Sequence, residues 1–283
     1  MKSLSKPTLI SLIFGYAFLY LPLIFTILFS FSDSEISGIW THFSFRWFNA
    51  FFKDENLLAA MFTSIEVASI AATGAAILGT LAAAATTNTT KEKYVGYNLL
   101  KKMILLPIIM PEIIIGLSIL MLFITAANIF GWPKERGILT IAVGHAVASV
   151  AYVHTTVLSR LNSLDKAMEE TAINLGAKSI YIFFHIKVPL IWKSIMSGWI
   201  LAFMLSFDDL VIASFLTGPG SSTLPITIFS NIKIGITPII NVFATIFIVI
   251  TTTLVFIIYS RSKGQYQAIS FFSRYNSSEN DSH

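Results

Sequence analysis

Apolar runs of about 20 residues recur along this chain, and a run of that length is what a helix needs to cross a hydrocarbon core roughly 30 Å thick. Six stretches qualify, near residues 8–30, 60–86, 103–127, 138–158, 190–215 and 239–260. The fold class this predicts is an all-α integral membrane protein with six transmembrane helices. Composition agrees: 55% of the 283 residues are apolar and 12% charged, with mean hydropathy +0.75. An average soluble domain carries roughly 25% charged residues and needs polar surface all round. The first run follows Lys2 and Lys6, as a secretory signal would, but it is about 22 residues long and has no small-residue cleavage site before Phe31. It reads as a retained helix.

Basic residues set the orientation. Thirteen of the 19 Lys and Arg fall in the N-terminus, the 87–102 loop, the 159–189 loop and the tail. Five lie on the opposite side and Lys193 begins the fifth span, so both termini are expected to be cytoplasmic. The net charge of +4 follows from this topology rather than from a nucleic-acid surface, because the charges are scattered over short loops. Cysteine is absent, which excludes disulfides and thiolate metal sites. No internal repeat of 20–50 residues is evident. The expected organisation is a first helix with its outward loop over 1–59, a membrane core over 60–260 containing the loop 159–189, and a cytoplasmic tail over 261–283. The polar end from Asn276 to His283 is expected to be disordered.

The 159–189 loop carries the most information. Asp165 can cap a helix with Glu169 and Glu170 in its first turns, where negative charge is favourable, and Gly176 can end that helix in a left-handed cap. A second helical stretch follows and is expected to close at Pro189. Two short helices at an angle, beneath the membrane, are the result. By pattern alone this could be an amphipathic interfacial loop. The spacing Glu170-Thr-Ala172, three residues, Gly176, nine residues, Ile186, one residue, Val188-Pro189 resembles the EAA loop of the permease subunits of ATP-binding-cassette importers. Thr171 and Val188 depart from the pattern. The resemblance implies that Glu170, Ala172, Gly176, Ile186 and Pro189 belong to a coupling helix that docks into a cytoplasmic ATPase. No G-x-x-x-x-G-K-[ST] phosphate loop occurs in the chain, so ATP would be bound by a separate partner subunit and no cofactor is expected here.

Four acids fall within the spans: Glu66, Glu112, Asp208 and Asp209. Each would cost a few kcal/mol, on the order of 3, facing lipid, so each is expected to face the bundle interior, a partner or water. Two readings stay open. The acids could hydrogen-bond to Ser, Thr or backbone and lock helices together, or they could line a passage for a cation. Asp208 and Asp209 are adjacent and project about 100° apart on a helix, so one of the two is expected to be structural.

Met110-Pro111-Glu112, the string from Ser206 through Asp208 and Asp209 to Gly220, and Thr223-Leu-Pro225 with Gly235-Ile-Thr-Pro238 are similar to the polyamine branch of that importer family. The chain resembles the second permease subunit of spermidine/putrescine importers over nearly its whole length, and the Gly131–Gly137 insert is similar to putrescine-type subunits. The resemblance implies roles in polyamine passage for Glu112, where Asp is more usual, and for Asp208. Glu66 has no counterpart in it and is a candidate on burial cost alone. It also implies a cytoplasmic ATP-binding dimer, a second related permease subunit, a periplasmic or extracytoplasmic polyamine-binding protein, and alternating access in a bacterial inner membrane. Polyamines carry two to four ammonium groups, which spaced carboxylates and aromatic walls can bind. Another small cationic or organic solute is the alternative cargo.

The segment 216–238, with its Gly218-Pro-Gly220 turn, is expected to face the soluble binding protein as a short structured element, or else to be a plain connector. An intramembrane enzyme is disfavoured, since His145 and His154 are nine residues apart and no His-Glu-x-x-His or Gly-x-Ser-x-Gly occurs. Both His read as packing or interface residues, and no metal site is expected. A proton-coupled carrier would also use buried acids, but usually shows internal repeats.

Overall fold

A computed structural model describes residues 6–87, 95–234, 238–249 and 252–253 of the chain. In order, the helices are α1 (Lys6–Ser30), α2 (Arg46–Lys53), α3 (Glu55–Thr86), α4 (Val95–Ile109), α5 (Glu112–Phe130), α6 (Ile138–Asn162), α7 (Lys166–Asn174), α8 (Ser179–Ile182), α9 (Val188–Phe207), α10 (Val211–Leu216), α11 (Leu224–Ile234) and α12 (Ile239–Val249). Among the described residues five helical segments are long and apolar enough to cross a membrane: Pro7–Ser30, Glu55–Thr86, Glu112–Phe130, Ile138–Asn162 and Ser179–Phe207. Helix α12 begins the sixth expected span, whose continuation lies largely outside the described residues, as does the tail from 261.

Two compact units result, one of residues 55–230 and one of residues 1–54 with 231–283. In the latter, α1 is apolar on every face, as a helix surrounded by lipid should be. The segment after it folds on an aromatic cluster of Phe31, Phe43, Phe45 and Phe48, braced by Arg46 Nη2 on Glu35 Oε1 at 2.9 Å and by Trp47 Nε1 donating to the Ser34 carbonyl at 3.0 Å.

The unit 55–230 is built on α3, α6 and α9. Between helices in lipid there is little hydrophobic drive, so close packing of small residues has to supply the attraction. Helix α3 meets that need with a buried face of Ala68, Ala71, Ala72, Ala75, Ala76 and Ala83. Gly79 marks the closest approach of α3 to α6: a methyl group there would lie 2.7 Å from Cβ of Val153 and 3.0 Å from the Val150 carbonyl oxygen. One core cluster joins Ala72, Ala75 and Ala83 to Val153, Val157, Ile191 and Ala202. A second joins Val67 and Ala71 to Ile115, Ile119, Ile141 and Leu216.

Two of the expected spans are interrupted. The run 103–127 divides at Met110-Pro111 into α4 and α5, because Pro111 has no amide hydrogen and pushes the residue before it out of the helical region. The run 190–215 stops at Phe207 and resumes as the short α10, with Asp208 to Leu210 between.

A third difference lies at Pro189, which does not close the second loop helix. Residues 183–187 form a π-turn in which the Val188 amide donates to the Phe183 carbonyl, and the helix runs on from Ser179 to Phe207. The π-turn precedes Pro189, which sits in the first turn of α9, where its missing donor costs least.

The 216–223 segment is ordered. The Gly218 amide donates to Ser221 Oγ at 2.9 Å, Thr140 Oγ1 donates to the Leu216 carbonyl at 2.8 Å, and the Leu224 amide donates to Ser64 Oγ at 2.8 Å. Residues 235–237 lie outside the described residues.

Candidate functional site

The two helix breaks meet. Glu112 is the first residue of α5 and Asp209 lies in the break between α9 and α10, and both border one small cleft with His145, Ser149, Tyr152 and Ser206. Glu112 is exposed beside the free amides of the α5 N-terminus, a favourable position for a carboxylate. Among the described contacts its carboxylate has no partner.

The adjacent aspartates differ in their surroundings, and because both lie in the non-helical break the 100° spacing of a helix does not apply to them. Asp209 is held: Oδ1 accepts from the Ala213 amide at 2.9 Å and lies 3.1 Å from His145 Nε2. The imidazole contact is close but poorly aligned for a hydrogen bond, so its strength is electrostatic and depends on the ring being protonated. On its other side His145 Nδ1 is hydrogen-bonded to Ser206 Oγ at 2.7 Å. The His145 side chain is 1% exposed and that of Asp209 9%. Asp208 instead caps α9, is exposed, does not border the cleft, and its carboxylate has no described partner. Glu66 stands exposed on α3, likewise without a described partner and away from that cleft. Sequence reasoning found the acids but missed His145 as the partner of Asp209, since the two are separated by most of two spans and nothing in either local string links them.

His154 packs as expected. It is fully buried with Nε2 at 2.8 Å from Thr86 Oγ1, tying the end of α6 to the end of α3. Among the described residues no group of three His, Asp or Glu is placed to hold a metal ion.

At one end of the unit the loop after α6 forms the expected first short helix, α7, while the second, α8, runs on into α9. Asp165 Oδ1 accepts from the Ala167 amide at 2.9 Å and starts α7. Gly176, at φ +84°, ends it: its amide donates to Ile173 and that of Ala177 to Ala172, a Schellman pair that needs a residue at ease with positive φ. Lys187 Nζ bonds Glu169 Oε1 at 2.7 Å, tying α7 to the π-turn. Of the sequence-derived coupling residues, Glu170, Gly176 and Pro189 are exposed, Ile186 is half-buried and Ala172 is buried. The apolar tip between the two helices was not foreseen: Leu175 is 84% exposed and Ile180 75%. Such side chains in a polar loop mark a contact surface.

Spans interrupted at acids beside a cleft are a way membrane proteins place polar groups along a passage, and the class this defines is a membrane transport subunit. Residues 75–263 match the binding-protein-dependent transport system inner membrane component family, and the chain belongs to that family of multi-pass inner-membrane proteins, which are transport components and not enzymes. Putrescine transport system permease protein PotI of Escherichia coli K12 is 43% identical over 238 residues, covering 84% of each chain. Spermidine/putrescine transport system permease protein PotC of Haemophilus influenzae is 35% identical over 240 residues, covering 85% of this chain and 90% of that one. Among solved structures, a bacterial ABC transporter involved in the import of the acidic polysaccharide alginate matches with a TM-score of 0.61 at 15% identity, covering 93% of this chain and 99% of that one. An amino acid ABC transporter with histidines matches at 0.51 and 17% identity, covering 73% and 92%. These two share the fold.

Proposed function

We propose that this chain is one permease subunit of an ATP-driven importer that carries polyamines, putrescine or spermidine, across the cytoplasmic membrane. The observation that carries the reading is the pair of unpartnered carboxylates at the helix breaks, Glu112 and Asp208, in a chain 43% identical to a putrescine permease. A carboxylate and an ammonium group 4 Å apart attract by about 4 kcal/mol at an effective dielectric of 20. That is enough to draw a cation out of water and weak enough to let it leave. In this reading Glu112 and Asp208 take the ammonium groups. Asp209, held by the Ala213 amide and beside His145, keeps the α9–α10 break in shape while bordering the cleft that Glu112 also lines, and Glu66 adds negative charge from α3.

The partners are a cytoplasmic ATP-binding dimer, a second permease subunit and an extracytoplasmic polyamine-binding protein, and both termini are cytoplasmic. The exposed tip at Leu175 and Ile180 supplies the contact with the ATPase, and Glu170, Ala172, Gly176, Ile186 and Pro189 form the element that carries it. Because α8, the π-turn and α9 are one rod, a push on the loop moves the helix that ends at Asp208, which is how ATP binding and hydrolysis would turn the passage outward and back. The test is uptake of putrescine and spermidine into vesicles holding the reconstituted complex. Uptake that requires both ATP and the ATPase subunit supports the importer reading. Uptake by the membrane subunits alone, driven by a proton gradient, would replace it with a secondary carrier.

A further inference from the structure

His145, Ser149 and Tyr152 stand four and then three positions apart on α6, so their side chains leave the same face of the helix. All three border the cleft between the two helix breaks, together with Glu112, Ser206 and Asp209. Its other lining residues are apolar, and two of them, Ile115 and Ile212, belong to the packed core. The cavity measures about 60 Å³. A water molecule takes about 30 Å³ of the liquid, so the cleft has room for a head group of about two heavy atoms and not for a bulky one.

Several polar groups of this cleft lack a partner. A helical serine can satisfy itself on the carbonyl one turn back, as Ser69 does on α3 and Ser197 on α9. Ser149 is 3% exposed, yet among the described contacts its hydroxyl makes neither that bond nor any other. Thr80 and Thr223 also carry unbonded hydroxyls, but theirs are sealed in protein; that of Ser149 is not, and the cleft is the space it opens on. The hydroxyl of half-buried Tyr152 and the carboxylate of Glu112, at the exposed rim, likewise have no described partner. On Asp209, whose side chain is 9% exposed, Oδ1 is engaged by the Ala213 amide and the second oxygen accepts nothing described. Unpaired polar groups this deep are uncommon, and what they share here is the capacity to accept. A small cation with several donors satisfies them together. An ammonium group has three, whereas among the described residues no three His, Asp or Glu converge as a bare metal ion requires.

We propose that this cleft is a head-group site for one primary ammonium, with Ser149 and Tyr152 as the residues that set its specificity. Glu112 at the rim draws the cation in, Ser149 Oγ and the Asp209 carboxylate accept its N–H groups at the floor, and Tyr152 stands beside it with both a hydroxyl and a ring face to offer. Selection follows from size and from hydrogen bonding together. A quaternary head brings three methyl groups in place of three donors, so it outgrows the cleft and leaves every acceptor in it unpaired. The site therefore takes unsubstituted terminal amines and turns quaternary ones away. The inference rests on the polyamine reading above and adds to it the residues that recognise the amine end.

The chain has no cysteine, so Ser149→Cys supplies a single thiol at the floor of the cleft. This variant, assembled with partner subunits rendered free of cysteine, is treated during ATP turnover with aminoethyl methanethiosulfonate, whose head is a primary ammonium, or with its trimethylammonio counterpart, and labelling of this chain is followed by its mass. The aminoethyl reagent should label at least about tenfold faster. Putrescine should slow that labelling, by about tenfold at ten times its half-maximal concentration. Equal labelling by both reagents, labelling by neither, or labelling indifferent to putrescine overturns the site. Independently, ATP-dependent uptake of labelled putrescine below saturation, per assembled complex, should fall about tenfold in Ser149→Ala and about threefold in Tyr152→Phe. Wild-type uptake in both variants overturns the head-group site and leaves the path through Glu112 and Asp208 standing. A Ser149→Ala defect confined to assembly makes Ser149 a packing residue and overturns it as well. Absence of putrescine uptake by the wild-type complex sinks the polyamine reading itself and the site with it.

Discussion

Replacing His145 by alanine should take from Asp209 its nearest polar side chain without giving water access to it. The His145 Nε2 to Asp209 Oδ1 separation is 3.1 Å, with side chains 1% and 9% exposed. At an effective dielectric of 20, unit charges at that distance attract by about 5 kcal/mol, an upper bound. Removing one partner of a buried pair costs about 3–5 kcal/mol, because the remaining charge stays desolvated. His145→Ala should therefore destabilise the complex by about that amount, lowering its unfolding temperature by roughly 6–20 °C at 2–4 °C per kcal/mol. Asp209→Asn keeps an acceptor for the Ala213 amide and should cost less. The double variant should be more stable than the two single effects summed, by about 0.5–3 kcal/mol, the range for residues in contact. Thermal unfolding of the purified complex in nanodiscs, read by tryptophan fluorescence and by loss of the assembled peak, measures all four corners of the cycle. Additivity within about 0.5 kcal/mol would refute the pairing and leave Asp209 held by the α10 backbone alone.

Gly79→Val should lower the yield of assembled subunit and destabilise it by about 1–3 kcal/mol, because the added side chain meets Val153 and the Val150 carbonyl where α3 crosses α6; the same change at Gly15, with nothing within 4 Å, is the control and should be silent by the same unfolding assay. Leu175→Asp combined with Ile180→Asp should abolish co-purification with the ATPase while leaving the unfolding temperature of the membrane subunits within a degree or so, since both side chains already face solvent. Lys187→Gln should cost no more than about 1 kcal/mol, because its partner Glu169 is 44% exposed and the pair is screened; the cost should shrink further in high salt.

The spans and the angled loop could be read from the chain because their signals are local. Apolar run length, Asp165 before a helical stretch and Gly176 after it each act within a few residues. The breaks were half-visible. Pro111 announces one, but Asp208 to Leu210 contains neither Pro nor Gly, and apolar periodicity runs straight through it; what stops α9 there is the tertiary arrangement that holds Asp209 between His145 and the α10 amide. Pro189 misled in the opposite direction, since a π-turn two residues upstream lets the helix pass through it. The acids were found as candidates from burial cost, yet their division into a held Asp209 and free Asp208 and Glu112 depends on His145 and Ser206, which are distant in sequence.

The most direct measurement is ATP-dependent putrescine uptake by the reconstituted complex with Glu112→Gln and Asp208→Asn, each at matched assembly and with ATPase coupling checked. Loss of one ammonium–carboxylate attraction of about 4 kcal/mol predicts at least a hundredfold fall in uptake below saturation for each variant, with ATP hydrolysis still responsive to the binding protein. Wild-type uptake in both variants would contradict the account, because a cation path would then run without the two unpartnered carboxylates on which it rests.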